Sequence, residues 1–252
     1  MAKDKSDWIV GRVLARQALE RGDQPCIQFE DEPPLTYAEF DRQCNRVGHA
    51  FADAGLGVGD RVAIIAANCL EYLWTWIGLS RIGAVAVAVN TAYKGRFLTH
   101  VLTNAEAHMG VVEREFLAWL AEIEDDIPAL TTVYVLGPLL APGETPAFKR
   151  IELRAFATLL DATPEPILCD VSYRDTGLIM FTSGTTGPSK GVLMPHGHLF
   201  LFGYNMQMHM QLTPADRYYI CMPLFHAQGL LMQFYSMLQA GGYVILTRHF
   251  RA

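Results

Sequence analysis

Two short stretches constrain this chain most. Residues 61–66 (Arg-Val-Ala-Ile-Ile-Ala) and 84–89 (Ala-Val-Ala-Val-Ala-Val) carry no polar side chain after the opening Arg61. Each is too short for a helix, and a strand with no polar face is buried on both sides. Between them, residues 68–81 place Leu70, Leu73, Trp74, Ile77 and Leu79 at helical spacing. The alternation continues with a helix over 96–104, a strand over 109–112, a helix over 116–123 and a strand over 132–136. Strands alternating with helices predict βαβ units, and hence an α/β fold, layered α/β/α with mostly parallel sheets.

Upstream, Ile9, Val13 and Leu14 supply one face of a first helix over 8–21, and residues 26–29 alternate as a strand before the Pro33-Pro34 turn. Thr36 and Glu39 form a capping box, in which the hydroxyl takes the Glu39 N–H and the carboxylate reaches back. The helix they open lines up Phe40, Cys44, Val47, Phe51 and Ala54 and ends at Gly55 and Gly57. Downstream, the Pro- and Gly-rich residues 137–147 read as a loop. A short helix is expected over 152–160, and residues 161–175 read as a linker. This divides the chain into a subdomain over 1–170 and a segment over 171–252.

Twenty basic against 26 acidic residues give a net charge of −6 without a basic stripe, which argues against a nucleic-acid surface. Cys26, Cys44, Cys69, Cys169 and Cys221 stand singly, a pattern of reduced structural thiols. The N-terminus is polar, and no apolar run approaches the ~20 residues that span a bilayer. A soluble, cytoplasmic protein is expected.

Between the apolar runs 178–181 and 192–194 stands Thr182-Ser183-Gly184-Thr185-Thr186-Gly187-Pro188-Ser189-Lys190-Gly191, with no acid in it. Hydroxyls, backbone N–H groups freed by glycine, and one ammonium suit phosphate oxygens. The plain alternative is a Gly/Ser/Thr-rich surface turn. This is not a Walker loop, because Lys190 follows Ser189 and a strand, not a helix, comes next. Further on, His196 and His198 open a helix rich in Phe, Tyr and Met. Those side chains are read as core, with an acyl-pocket wall as the less common use, and no third ligand makes a metal site of the two histidines.

Thr-Ser-Gly-Thr-Thr-Gly…Lys-Gly between two strands resembles the signature of the adenylate-forming superfamily, which includes acyl- and aryl-CoA synthetases, firefly luciferase and peptide-synthetase adenylation domains. The segments 35–37, 59–63 and 83–90 stand in the order its members show. One departure is that many members carry Pro directly before the Lys, where this chain has Ser189. A second resemblance lies in Pro223-Leu224-Phe225-His226, a block that closes the other wall of the active site in the superfamily. A strand is expected to end at 223–225, and His226 to begin the next helix. Carried over by resemblance, Lys190 and His226 are the catalytic positions. Thr182, Ser183, Gly184, Thr185, Thr186, Gly187 and Lys190 bind the nucleotide, with Mg²⁺ reaching Thr182 through ATP. His226, Gln228 and Gly229 border the acid.

The resemblance implies ATP, Mg²⁺ and CoA as cofactors and a small-molecule carboxylic acid as substrate. Attack of the carboxylate on ATP gives acyl-AMP, and CoA then takes the acyl group. The 223–226 block and residues 60–104 are more similar to fatty-acid and carnitine-type CoA ligases than to amino-acid adenylation domains. The alternatives are the same fold serving another acceptor, a carrier protein or oxygen, and a non-catalytic nucleotide-binding module. The Tyr-Gly-x-Thr-Glu and Thr-Gly-Asp blocks, the hinge and the C-terminal domain of the superfamily have no counterpart here. The expectation is therefore an N-terminal portion of the fold, inactive by itself, with an apolar face left for docking or for self-association as a homodimer.

Overall fold

A computed structural model describes residues 4–137, 146–168, 170–182 and 188–249. In chain order it begins with α1 (Val10–Arg21), β1 (Pro25–Phe29), β2 (Leu35–Thr36) and α2 (Tyr37–Asp53). The alternating run follows as β3 (Arg61–Ile65), α3 (Leu70–Ile82), β4 (Val85–Ala88), α4 (Gly95–Ala105), β5 (Met109–Glu113), α5 (Leu117–Ala121) and β6 (Thr132–Leu136). The rest comprises β7 (Glu152–Ala155), β8 (Thr176–Phe181), β9 (Gly191–Pro195), α6 (His196–Met210), β10 (Arg217–Ile220), α7 (Ser236–Ala240) and β11 (Tyr243–Leu246).

The two apolar stretches become neighbouring strands at the centre of a seven-stranded sheet, ordered β7-β6-β5-β3-β4-β8-β9. All its pairings are parallel except β8 with β9. Their side chains divide by alternation, as the strand period demands. Val62, Ile64, Ala86 and Ala88 enter one core with α1, α2 and α3, while Ala63, Ile65, Val85 and Val87 enter a second core with α4 and α5. The expected α/β/α layering therefore surrounds this sheet. A four-stranded sheet, β10-β11-β1-β2, adds a layer, since Ile27, Ile220, Val244 and Leu246 close the far side of the first core. Strands from both sides of residue 170 share both sheets: β8 lies beside β4, and β11 beside β1.

The capping box is formed, with Glu39 N–H donating to Thr36 Oγ1 at 3.2 Å and Thr36 N–H to Glu39 Oε2 at 2.8 Å. Gly83 ends α3 in the left-handed region (φ 76°), which only glycine enters without strain. Three expectations are corrected. Residues 152–160 do not form a helix: Glu152–Ala155 pairs with β6 as an edge strand, and only Phe156–Asp161 coils, as a 3₁₀ turn. A free backbone edge on β6 outweighs the helical preference of Glu-Leu-Arg-Ala. The helix over 116–123 shrinks to α5 between two 3₁₀ turns, Arg114–Phe116 and Glu124–Asp126. The first helix starts at Val10, behind a 3₁₀ turn over Lys5–Trp8.

Cys26, Cys44 and Cys69 are buried free thiols, and Cys221 is a half-buried one, while Cys169 lies outside the described residues. Among the described residues no helix is long and apolar enough to cross a membrane.

Candidate active site

The hydroxyl-rich loop joins β8 to β9. Its base is described, whereas Ser183, Gly184, Thr185, Thr186 and Gly187 lie outside the described residues. The β8–β9 ladder ends at the pair Phe181–Gly191, and one step further Thr182 and Lys190 close the hairpin. Thr182 N–H donates to Lys190 O at 3.1 Å, and Lys190 N–H donates to Thr182 Oγ1 at 3.3 Å. Both residues are exposed, so the ammonium stands in solvent at the carboxyl end of β8. Ligands of open α/β sheets bind at this end of the strands. His100 of α4, read from sequence only as helix, meets the returning arm of the loop, its Nε2 lying 2.7 Å from Ser189 O.

The second block leaves the small sheet. β10 stops at Ile220, three residues before Pro223, and the next helix opens at Gln228, not at His226. Proline has no N–H to give a ladder bond, and the neighbouring bonds go to Asn68 instead. Asn68, between β3 and α3, is 3% exposed. It accepts from Leu224 N–H at 2.8 Å and donates to Met222 O at 3.1 Å and to Thr247 O at 3.0 Å. One amide thus ties the large sheet to the ends of β10 and β11. The loop carrying it is braced by Ala67 N–H on Glu113 Oε2 at 3.1 Å. Glu113 also pairs with Arg248, which raises the already high pKa of that guanidinium.

His226 is exposed, its N–H on Pro223 O at 3.1 Å and its ring beside that of Phe225 at 4.6 Å between centroids. Gln228 is exposed and Gly229 buried, at the start of a π-helical stretch, Gln228–Tyr235, that runs into α7. Such wide turns recur at functional sites. Gly229 permits the close approach, because a side-chain carbon there would lie 2.5 Å from Pro223 O and 2.6 Å from Met222 O. The structure therefore joins Thr182 with Lys190, and sets His226 and Gly229 against Pro223. Among the described residues no hydrogen bond, ion pair or ring contact joins these two groups.

His196, expected to open a helix, is the first residue of α6 and is fully buried. Since Thr176 pairs with Pro195, it sits at the other end of the hairpin from Lys190. Neither ring nitrogen has a partner among the described residues. Burial, partly offset by Asp175 and reinforced by Arg12, pushes its pKa from 6.5 down to about 4. The unfolded chain takes up this proton near pH 6.5 and the folded chain only near pH 4. The stabilisation is therefore complete above pH 6.5 and is lost as pH falls through about 4. Between those values the wild type is expected to lose up to ~3 kcal/mol more than His196→Leu in urea titrations. Equal slopes would contradict this.

A cavity of about 410 Å³ lies among α1, α2, α3, residues 164–167 and Val171, and an open groove of about 720 Å³ runs along α4 past Arg96, Thr99, His100 and Thr103. Neither is lined by Thr182, Lys190 or His226. Among the described residues no group of three or more His, Cys, Asp and Glu could hold a metal ion.

The family described as AMP-binding enzyme matches residues 14–252. The crotonobetaine/carnitine–CoA ligase of Salmonella heidelberg (strain SL476) is 31% identical over 237 residues, covering 92% of this chain and 45% of that ligase. The chain thus spans about half the length of the relatives it matches. Among solved structures, ATP-bound MatB from Rhodopseudomonas palustris has a TM-score of 0.79 at 27% identity, covering 96% of this chain and 46% of that one. The anthranilate CoA ligase AuaEII, in complex with anthranoyl-AMP, shares the fold with a TM-score of 0.85 at 22% identity, over 98% of this chain and 47% of that one. With a family match over nearly all its residues, the chain belongs to the AMP-binding enzymes, the adenylate-forming superfamily.

Proposed function

We propose that this chain supplies the phosphate-loop side of an acyl-CoA ligase. A carboxylate attacks the α-phosphorus of ATP and expels pyrophosphate, leaving acyl-AMP. The thiol of CoA then attacks the acyl carbon, the bond to the AMP oxygen breaks, and the thiol proton is released. The observation that carries this reading is the hairpin end, where Thr182 and Lys190 are cross-bonded and Lys190 is exposed at the carboxyl end of β8, in a loop without acids.

The acid is ionised at neutral pH, so its attack requires no general base. What the step requires is that like-charged reactants be held together and the charge on the leaving pyrophosphate be neutralised. Lys190 is assigned to the phosphates, with Thr182, Ser183, Gly184, Thr185, Thr186 and Gly187 as donors around them. His226, Gln228 and Gly229 are assigned to the acid and the nucleotide beside it. Mg²⁺ bound to the nucleotide would add positive charge, with the Thr182 hydroxyl as the ligand this segment offers. A carnitine-like acid is favoured by the Salmonella relatives, which are crotonobetaine/carnitine–CoA ligases, and a fatty acid by the resemblance of residues 60–104 and 223–226. With soluble ATP and CoA as co-substrates, we place the reaction in the cytoplasm.

Titration calorimetry with MgATP tests the assignment. Lys190→Ala is expected to bind at least about tenfold more weakly, as befits loss of a charged phosphate contact, with an unchanged melting temperature because the side chain is exposed. Unchanged affinity in this variant would remove Lys190 from the site.

A further inference from the structure

We infer that His100 is a positioning residue that sets the orientation of the peptide unit from which Lys190 projects. This rests on the phosphate-binding role proposed for the loop. The Ser189–Lys190 peptide exposes two polar atoms, Ser189 C=O on one side and Lys190 N–H on the other, and planarity makes them turn together. Each is held by a side chain from a different element. His100 Nε2 lies 2.7 Å from the carbonyl, and Lys190 N–H lies 3.3 Å from Thr182 Oγ1. A carbonyl has no proton to give, so Nε2 carries it and donates.

This unit turns about ψ of Ser189 and φ of Lys190, and no ring restrains either residue. Rotation of this peptide unit would re-aim the lysine, and the two side-chain bonds oppose that rotation. His100 is itself on a firm mount. Leu98, Val101, Leu102 and Ala105 of α4 are buried in the core on the outer face of the large sheet, while the His100 ring is half-buried and turned to the hairpin. The same ring lines the open groove along α4, so the bond faces water on one side and is sensitive to what replaces the imidazole.

Two substitutions separate positioning from packing. His100→Phe keeps a flat ring and removes the donor, while His100→Gln keeps a donor at similar reach. In the wild type, ¹⁵N signals of the imidazole should report the Nε2-protonated form. The Lys190 amide should exchange with solvent several-fold faster in His100→Phe than in wild type or His100→Gln. MgATP affinity should fall about five- to tenfold in His100→Phe, the worth of one hydrogen bond, and recover in His100→Gln at a common melting temperature. Lys190 exchange that ignores both substitutions would overturn the inference, whatever the nucleotide does. If exchange responds as expected while the wild type binds no MgATP, the proposed function fails and the restraint on Lys190 stands.

Discussion

Arg81→Met is expected to lower the unfolding free energy by about 3–5 kcal/mol, the range for breaking a buried ion pair from one side. The Arg81 side chain is 6% exposed and the Asp41 side chain 15%, with 2.5 Å between Nη2 and Oδ1. Arg81 Nη1 also donates to Asn45 Oδ1, and Nη2 reaches Gly11 O at 3.4 Å. Asn45 passes the restraint on, donating to Asp41 Oδ2 at 3.1 Å and to Pro164 O at 3.0 Å. One guanidinium therefore ties α3 to α1 and α2, and through Asn45 to the segment that leads into β8. Methionine fills much of the volume but leaves the Asp41 carboxylate without its partner in a poorly solvated site. Adding Asp41→Leu removes that orphaned charge, so the double variant should regain most of the loss in urea unfolding. A single variant within about 1 kcal/mol of wild type, in the range of surface pairs, would contradict this reading of the network.

Asn68→Leu should cost about 3 kcal/mol and also disable the site. Leucine is close in size but bonds to nothing, so Leu224 N–H, Met222 O and Thr247 O all lose a buried partner. The damage should be local before it is global. Amide exchange at Leu224 should accelerate far more than exchange in the β3–β4 centre, because the released segment is the one that places His226. Uniform acceleration across both sheets would show Asn68 to be a general core residue and not a clamp on this block.

The contrast between Asn68 and the apolar strands shows what a single sequence discloses. The large sheet was legible because Val62 to Ile65 and Val85 to Ala88 each state their own environment, in that every side chain is apolar and so both faces are covered. The capping box of α2 was legible for the same reason, since both partners lie within one turn. Asn68 reads as the first residue of a helix, yet its partners lie 154 to 179 positions away. His100 reads as an unremarkable helical residue, and its partner is 89 positions away. No local pattern marks such contacts. Residues 152–155 failed in the opposite sense: their composition favours a helix, and an open strand edge on β6 decided otherwise. The candidate-site motifs are legible because their residues are contiguous, while Asn68 and His100, which bond to the segments beside them, come from elsewhere in the chain.

The most direct test of the account is carboxylate-dependent exchange of pyrophosphate into ATP, measured over short, medium, long-chain, aromatic and carnitine-like acids, with Lys190→Ala alongside. In a full-length ligase that carries this segment, exchange should require one class of acid and fall by about 100-fold or more in the variant, as loss of a charge-stabilising group at the reacting phosphates implies. Exchange that persists at the wild-type rate in Lys190→Ala, or that needs no acid, would contradict it.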